Sequence, residues 1–143
     1  MTDGAEPGRP IHYVVITSDR AAQEQEDAVF HLSRLVGPDY ATAWYIHLSR
    51  AIQDLPVFPG PRSHAIDEEA SLRYGCEVRR MLYFGPGARR SRTPYRVLFT
   101  IFSPGRDEDE STILVLRILH GAQQLADESE PNGGDNNGDP PKP

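Results

Sequence analysis

Chemistry on a phosphate needs cations to hold the anion, a group that takes a proton and a group that returns one. In this chain the cations are gathered. Arg73, Arg79, Arg80, Arg89, Arg90, Arg92 and Arg96 share their stretch with Glu77 as its lone acid, and an acidic block, Asp107 to Glu110, follows. Such segregation polarises the surface and suits phosphate or acidic peptide partners. His120 is a side chain that titrates near neutrality and could serve as acid or base. Arg96 has the parity of Leu98 and Thr100, so these three should share one strand face. Arg79 and Arg80 are consecutive and must point to opposite faces, so only one can join Arg96, and Arg79 is the expected one. The candidates for catalysis are therefore Arg96, His120 and Arg79. Arg80, Arg89, Arg90, Arg92 and Tyr95 are candidates for binding nucleic acid or a partner.

Each candidate also has a plainer role. Arginines on a strand or hairpin loop are often solvated ion-pair partners, and a histidine beside Leu116 and Ile118 is often a packing residue. Arg117 projects oppositely from His120 and should pair with acids. No cysteine cluster, glycine-rich phosphate loop or nucleophile elbow is present, and Gly85 to Gly87 is too short and proline-bearing to cradle a nucleotide. No cofactor, metal or small-molecule ligand is expected. Cys76 is the single cysteine, so it cannot form an internal disulfide, and its expected place is buried among apolar neighbours.

The elements that must carry these residues follow from periodicity. Residues 11–17, IHYVVIT, are short and β-branched and read as a first strand. Ser18 or Asp19 can cap a helix reaching Val36, with Val29, Leu32, Leu35 and Val36 as its apolar stripe. Gly37 ends it. Pro38 suits the first turn of a second helix, in which Ala41, Trp44, Leu48, Ala51, Ile52 and Leu55 mark one face as far as Pro56. The two should form an antiparallel hairpin. Residues 56–74 read as a long connection with an acidic patch, Asp67 to Glu69.

From Gly75 the period becomes two, with Cys76, Val78, Leu82 and Phe84 alternating against Glu77, Arg79, Met81 and Tyr83. Two further strands, residues 95–102 and 112–119, complete an antiparallel meander. The first strand can join the sheet as a fourth member, in either direction. The fold class is α+β, with the helical hairpin on one sheet face and the other face open to a partner. Residues 11–125 form this domain. Residues 1–10 and 126–143 are polar and aperiodic and read as disordered extensions.

The formal net charge of -6 belongs mostly to the tail, where Asp127, Glu128, Glu130, Asp135 and Asp139 are opposed by Lys142 alone. A tail folded back over the loop arginines would lower nucleic-acid binding. With no long apolar run and no apolar secretory core at the start, a cytoplasmic location and no membrane contact are expected.

The order of these elements, with YRVLFTI at residues 95–101 and ILVLRILHGAQQL at residues 113–125, resembles the RelE/ParE toxin family. Residues 27–59 are similar to that family's long helical hairpin closed by a proline-bearing turn, and VRRMLYF to YRVLFTI to its central hairpin. The resemblance implies the toxin of a type II toxin-antitoxin pair, neutralised by a cognate antitoxin. It implies one of two activities: ribosome-dependent messenger RNA cleavage, or inhibition of DNA gyrase without cutting. Arg96 matches the phosphate-binding arginine of ribonuclease members, and His120 stands where several members place functional polar residues. Against this, Gln123 replaces a basic residue beyond the last strand and no aromatic hydroxyl follows. The gyrase-type activity is therefore the expectation, with the ribonuclease as the alternative and a non-toxic binding domain as the third.

Overall fold

The computed structural model describes residues 12–86, 94–103, 110–121, 123 and 125. Arg89, Arg90, Arg92, the greater part of the acidic block and both extensions lie outside the described residues. In chain order the elements are strand β1 (His12–Thr17), helices α1 (Asp19–Leu35) and α2 (Pro38–Gln53), a short 3-10 turn (Pro61–Ser63), helix α3 (Glu68–Tyr74), and strands β2 (Arg79–Tyr83), β3 (Tyr95–Phe102) and β4 (Glu110–His120). Together they make an α+β domain with one mixed sheet, in the order β1-β4-β3-β2. Strand β3 runs antiparallel to both β2 and β4, and β1 joins parallel to β4.

Local signals set the helix ends. The Ser18 hydroxyl accepts the Ala21 N–H at 3.1 Å and caps α1, and Pro38 opens α2 behind Gly37, whose φ of 143° lies outside the range most side chains adopt. The hairpin then buries Ala21, Ala28, Trp44, Leu48 and Ile52 on the sheet residues Met81, Tyr83, Val97, Phe99, Ile113, Val115 and Ile118. Trp44 is the centre, with Tyr83 and Tyr95 edge-on at ring distances of 5.7 and 5.0 Å.

Several expectations need correction. The far face of the sheet is not simply open: α3 and the C-terminal turn cover part of it, burying Ala70, Val78, Leu98, Leu119 and Leu125 in a second cluster. Residues 56–74 are not merely a connection, since Asp67 accepts the Ala70 N–H at 3.0 Å and starts α3, which Gly75 closes in the left-handed conformation. Leu35 and Val36 are 69% and 61% exposed instead of completing the α1 stripe, because they reach the hairpin tip, beyond the sheet. Cys76 is exposed, because the chain there has left α3 and has not yet entered β2. In β2 the buried set is Met81 and Tyr83 on the hairpin side and Leu82 is 47% exposed, while Val78, just before the strand, packs on the other side.

A register shift between Leu98 and Phe99 inserts one extra residue into β4. Simple alternation breaks there. Ile118 packs under the hairpin while Leu116 contacts the far-face cluster, although the two are separated by an even step.

Candidate functional site

Two residues of the α1 region build the corner where β4 outruns β1. Ser18 donates its backbone N–H to the Val115 carbonyl at 2.9 Å and its hydroxyl to the Leu116 carbonyl at 3.1 Å, carrying the ladder one step past the strand. Glu24, a turn and a half further on, accepts the Ile118 N–H at 2.8 Å through Oε1 and the Arg117 Nε–H at 2.7 Å through Oε2. The edge of β4 is thereby satisfied by side chains where no strand is present. Arg117 is 2% exposed and pairs with an acid, as its projection implied.

Beyond this corner lies a groove of about 270 Å³, lined by Glu24, Asp27, His31, Tyr95, His120 and Gln123 together with Ala28 and Ile118. His120 sits opposite Tyr95 in the ladder and its ring stands edge-on to the tyrosine at 5.2 Å, placing it on the hairpin side of the sheet. Its backbone N–H is taken by the Gln123 side-chain oxygen at 2.8 Å. His31 comes to the same groove from α1, three and seven residues along the helix from Ala28 and Glu24. Sequence reasoning passed over His31. The signal available was its helical spacing from Glu24 and Asp27, which puts all three on one side of α1.

The candidate arginines among the described residues lie elsewhere. Arg96 neighbours Leu98 on the far face, and its Nη2 donates to the Gln123 carbonyl at 2.7 Å, holding the C-terminal turn that brings Leu125 into the second cluster. Arg79 shares parity with Met81 and Tyr83 on the hairpin side, so it does not join Arg96. Its guanidinium donates to the carbonyls of Arg62 and His64, at 2.9 and 2.7 Å, and clamps that loop to the sheet edge. Arg80 is the one that shares the far face, and it is engaged with Asp67 at 3.6 Å. Gln123, noted for replacing a basic residue, thus bridges both sides: its carbonyl serves Arg96 and its side chain serves His120.

Tyr83 is buried and Tyr95 half-buried. Tyr83 donates its hydroxyl to the Trp44 carbonyl at 3.3 Å, and burial, then the neighbouring Tyr40, pushes its pKa up to about 12. Tyr95 is raised by the same two causes. Both hydroxyls stay neutral at physiological pH and neither is a ready proton donor. His64, edge-on to Phe99 at 5.8 Å, is shifted below its ordinary 6.5 by burial and then by the Arg79 guanidinium.

Chemically, the groove offers imidazoles and carboxylates, but none of the residues lining it is an arginine. Among the described residues no group of three or more His, Cys, Asp or Glu could hold a metal ion. No helix among them is long and apolar enough to cross a membrane.

A strand, a capped helical hairpin and a three-strand meander is the architecture expected of the toxins this sequence resembles, and the direction of β1, which the sequence left open, is parallel to β4. A family model described as the ParE toxin of type II toxin-antitoxin system, parDE, matches residues 15–125. The chain belongs to the ParE toxin family. No curated protein and no solved structure matches it. Membership makes this the toxin component of a type II toxin-antitoxin pair and implies an antitoxin partner. The matched span includes the groove, the Glu24–Arg117 corner and the turn that ends at Leu125.

Proposed function

We propose that this ParE-family toxin acts by binding a protein target of the DNA gyrase type and does not itself cut RNA. The observation carrying this reading is that, among the described residues, the groove's histidines stand apart from the candidate arginines. His120 and His31 line a groove with Asp27 and Glu24, while Arg96 and Arg80 lie on the opposite sheet face. Cleavage by a 2′ hydroxyl needs phosphate-binding cations beside the proton-transfer groups, because the charge that develops sits on the phosphoryl oxygens. Asp27 would instead repel a phosphate, and Glu24 is already committed to Arg117.

A protein-binding role is further supported by apolar exposure at the hairpin tip. Phe30, Leu35 and Val36 are each more than 60% exposed, and Arg34 lies over the Phe30 ring at 5.6 Å. Aromatic, aliphatic and arginine side chains together are the composition of an interface centre. We assign this surface to a protein partner, whether target or antitoxin.

The test is induced expression in a susceptible bacterium, with pulse-labelled DNA and protein synthesis followed in parallel and transcript ends mapped. Early failure of DNA synthesis without new transcript ends is expected. Collapse of protein synthesis with new transcript ends would establish the ribonuclease activity instead, and unimpaired growth at confirmed soluble expression would mark a non-toxic binding domain.

A further inference from the structure

The fold treats its two sheet edges differently. Along β2 the chain covers its own edge: the Arg80 N–H donates to the Ala65 carbonyl and the Asp67 N–H to the Val78 carbonyl, both within 3 Å, and Ile66 bridges Arg79. Strand β1 is the other end of the sheet and, among the described residues, pairs only with β4. Because the Ser18 N–H continues the ladder onto Val115, the two-residue alternation turns the backbone groups of Val14 and Ile16 toward β4. Those of Tyr13, Val15 and Thr17 point away from the sheet. Among the described residues no hydrogen bond reaches them from that side.

We infer that β1 pairs antiparallel with β1 of a second copy of this chain, about a two-fold axis through Val15. The outward groups are symmetric about that residue. Val15 meets its own copy and Tyr13 meets Thr17, each pair exchanging N–H and C=O groups. A shift of two residues in either direction leaves one of the three without a partner. The same register brings Val14 opposite Ile16 on the sheet face away from the hairpin, as a pair of the closely spaced kind. Ile16 is 47% exposed in the single chain, so it has surface to lose there. Tyr13 and Val15 remain on the hairpin side, where they already pack on the core.

Nothing in the strand opposes such pairing. Soluble proteins blunt an exposed edge with a charge, a proline or a bulge. Residues 12–17, HYVVIT, contain no acid, lysine, arginine or proline, and their register with β4 is unbroken. An uncharged, self-complementary strand fits a copy of itself without like-charge contact, and the isologous arrangement closes at two copies.

Sedimentation equilibrium of the full chain, from micromolar to sub-millimolar, tests this directly. A monomer-dimer equilibrium is expected. Ile16→Lys should weaken it about tenfold or more, since two-fold symmetry applies each substitution twice. Ile16→Thr, which keeps strand propensity, should weaken it less, and Leu82→Lys on the opposite edge should leave it unchanged. In a Cys76→Ser background, Val14→Cys with Ile16→Cys should oxidise to a covalent dimer. A monomer at every concentration overturns the proposal, including the case in which this edge serves a strand of another protein. So does a dimer indifferent to Ile16→Lys while that variant keeps its circular dichroism spectrum.

Discussion

Removing either member of the Glu24–Arg117 pair should cost stability by unequal amounts. Arg117 has 3% of its side chain exposed and Glu24 has 14%. Breaking a buried pair by removing one partner costs about 3–5 kcal/mol, most of it for the charge left behind. Glu24→Leu strands the more deeply buried charge and also removes the acceptor of the Ile118 N–H, which adds about 1–3 kcal/mol. Its total of about 4–8 kcal/mol is a large share of a small domain's stability. Arg117→Met leaves a carboxylate that still accepts the Ile118 N–H and lies 3.7 Å from Arg20, so about 2–4 kcal/mol is expected. Carrying both changes removes both charges and retains only the orphaned N–H, at about 1–3 kcal/mol. Urea unfolding of the four proteins forms a double-mutant cycle, and the coupling should exceed about 2 kcal/mol. Additivity within about 0.5 kcal/mol, or an Arg117→Met cost equal to that of Glu24→Leu, would refute the reasoning.

Other consequences can be measured on the same protein. On the proposed binding mechanism no chemistry passes through the His120 imidazole, so His120→Gln should leave growth inhibition at wild-type strength, read as plating efficiency under induction; loss of toxicity in a folded variant would contradict that mechanism. Leu125→Ala should cost about 2–4 kcal/mol in urea unfolding, since Leu125 is 2% exposed in the second cluster; a loss below about 1 kcal/mol would mean that the turn does not seal that face. His64 has a folded pKa below its ordinary 6.5, so the unfolded chain takes up the proton first. Stability should be complete above about pH 6.5, fall as the pH drops toward the folded value, and lose that dependence in His64→Gln. Tyr83, at about 12, contributes the converse: its stability is present below pH 10 and is lost as the pH rises toward 12, and ultraviolet titration of Tyr83→Phe should show one late-ionising phenol fewer.

Much of the architecture was legible because it rests on local rules. Ser18, Gly37 and Pro38 mark helix ends through backbone requirements that hold in any context, and the Trp44, Leu48 and Ile52 spacing allows only one buried face. Helix α3 was equally readable, for Asp67 followed by Glu68, Glu69 and Ala70 is a cap and an acidic first turn; the prolines of residues 56–61 mask it by breaking the pattern just upstream. The parallel pairing of β1 was not readable, since strand direction depends on how the hairpin crosses the sheet. The bulge in β4 was hidden for a related reason: which residue is extra depends on the partner strand, and one extra residue reverses the facing of every residue after it. That reversal separates Leu116 from Ile118 and removes the premise from which the surroundings of His120 were inferred.

The same bulge explains why the candidate site divides as it does. Strand β4 contributes Ile118 and His120 to the hairpin face, and past His120 the chain turns so that Gln123 can reach both faces while Leu125 seals the far one. Arg96 is committed to holding that turn through a charge-assisted bond to the Gln123 carbonyl, in the place where a phosphate ligand would need it free. Residue 123 offers Arg96 only its carbonyl and sends its side chain to His120, so a basic side chain there would not stand beside the Arg96 guanidinium. Gln123→Lys therefore does not restore a missing catalytic member. It removes the acceptor of the His120 N–H and loosens the C-terminal turn, which ties residue 123 to the architecture of the site.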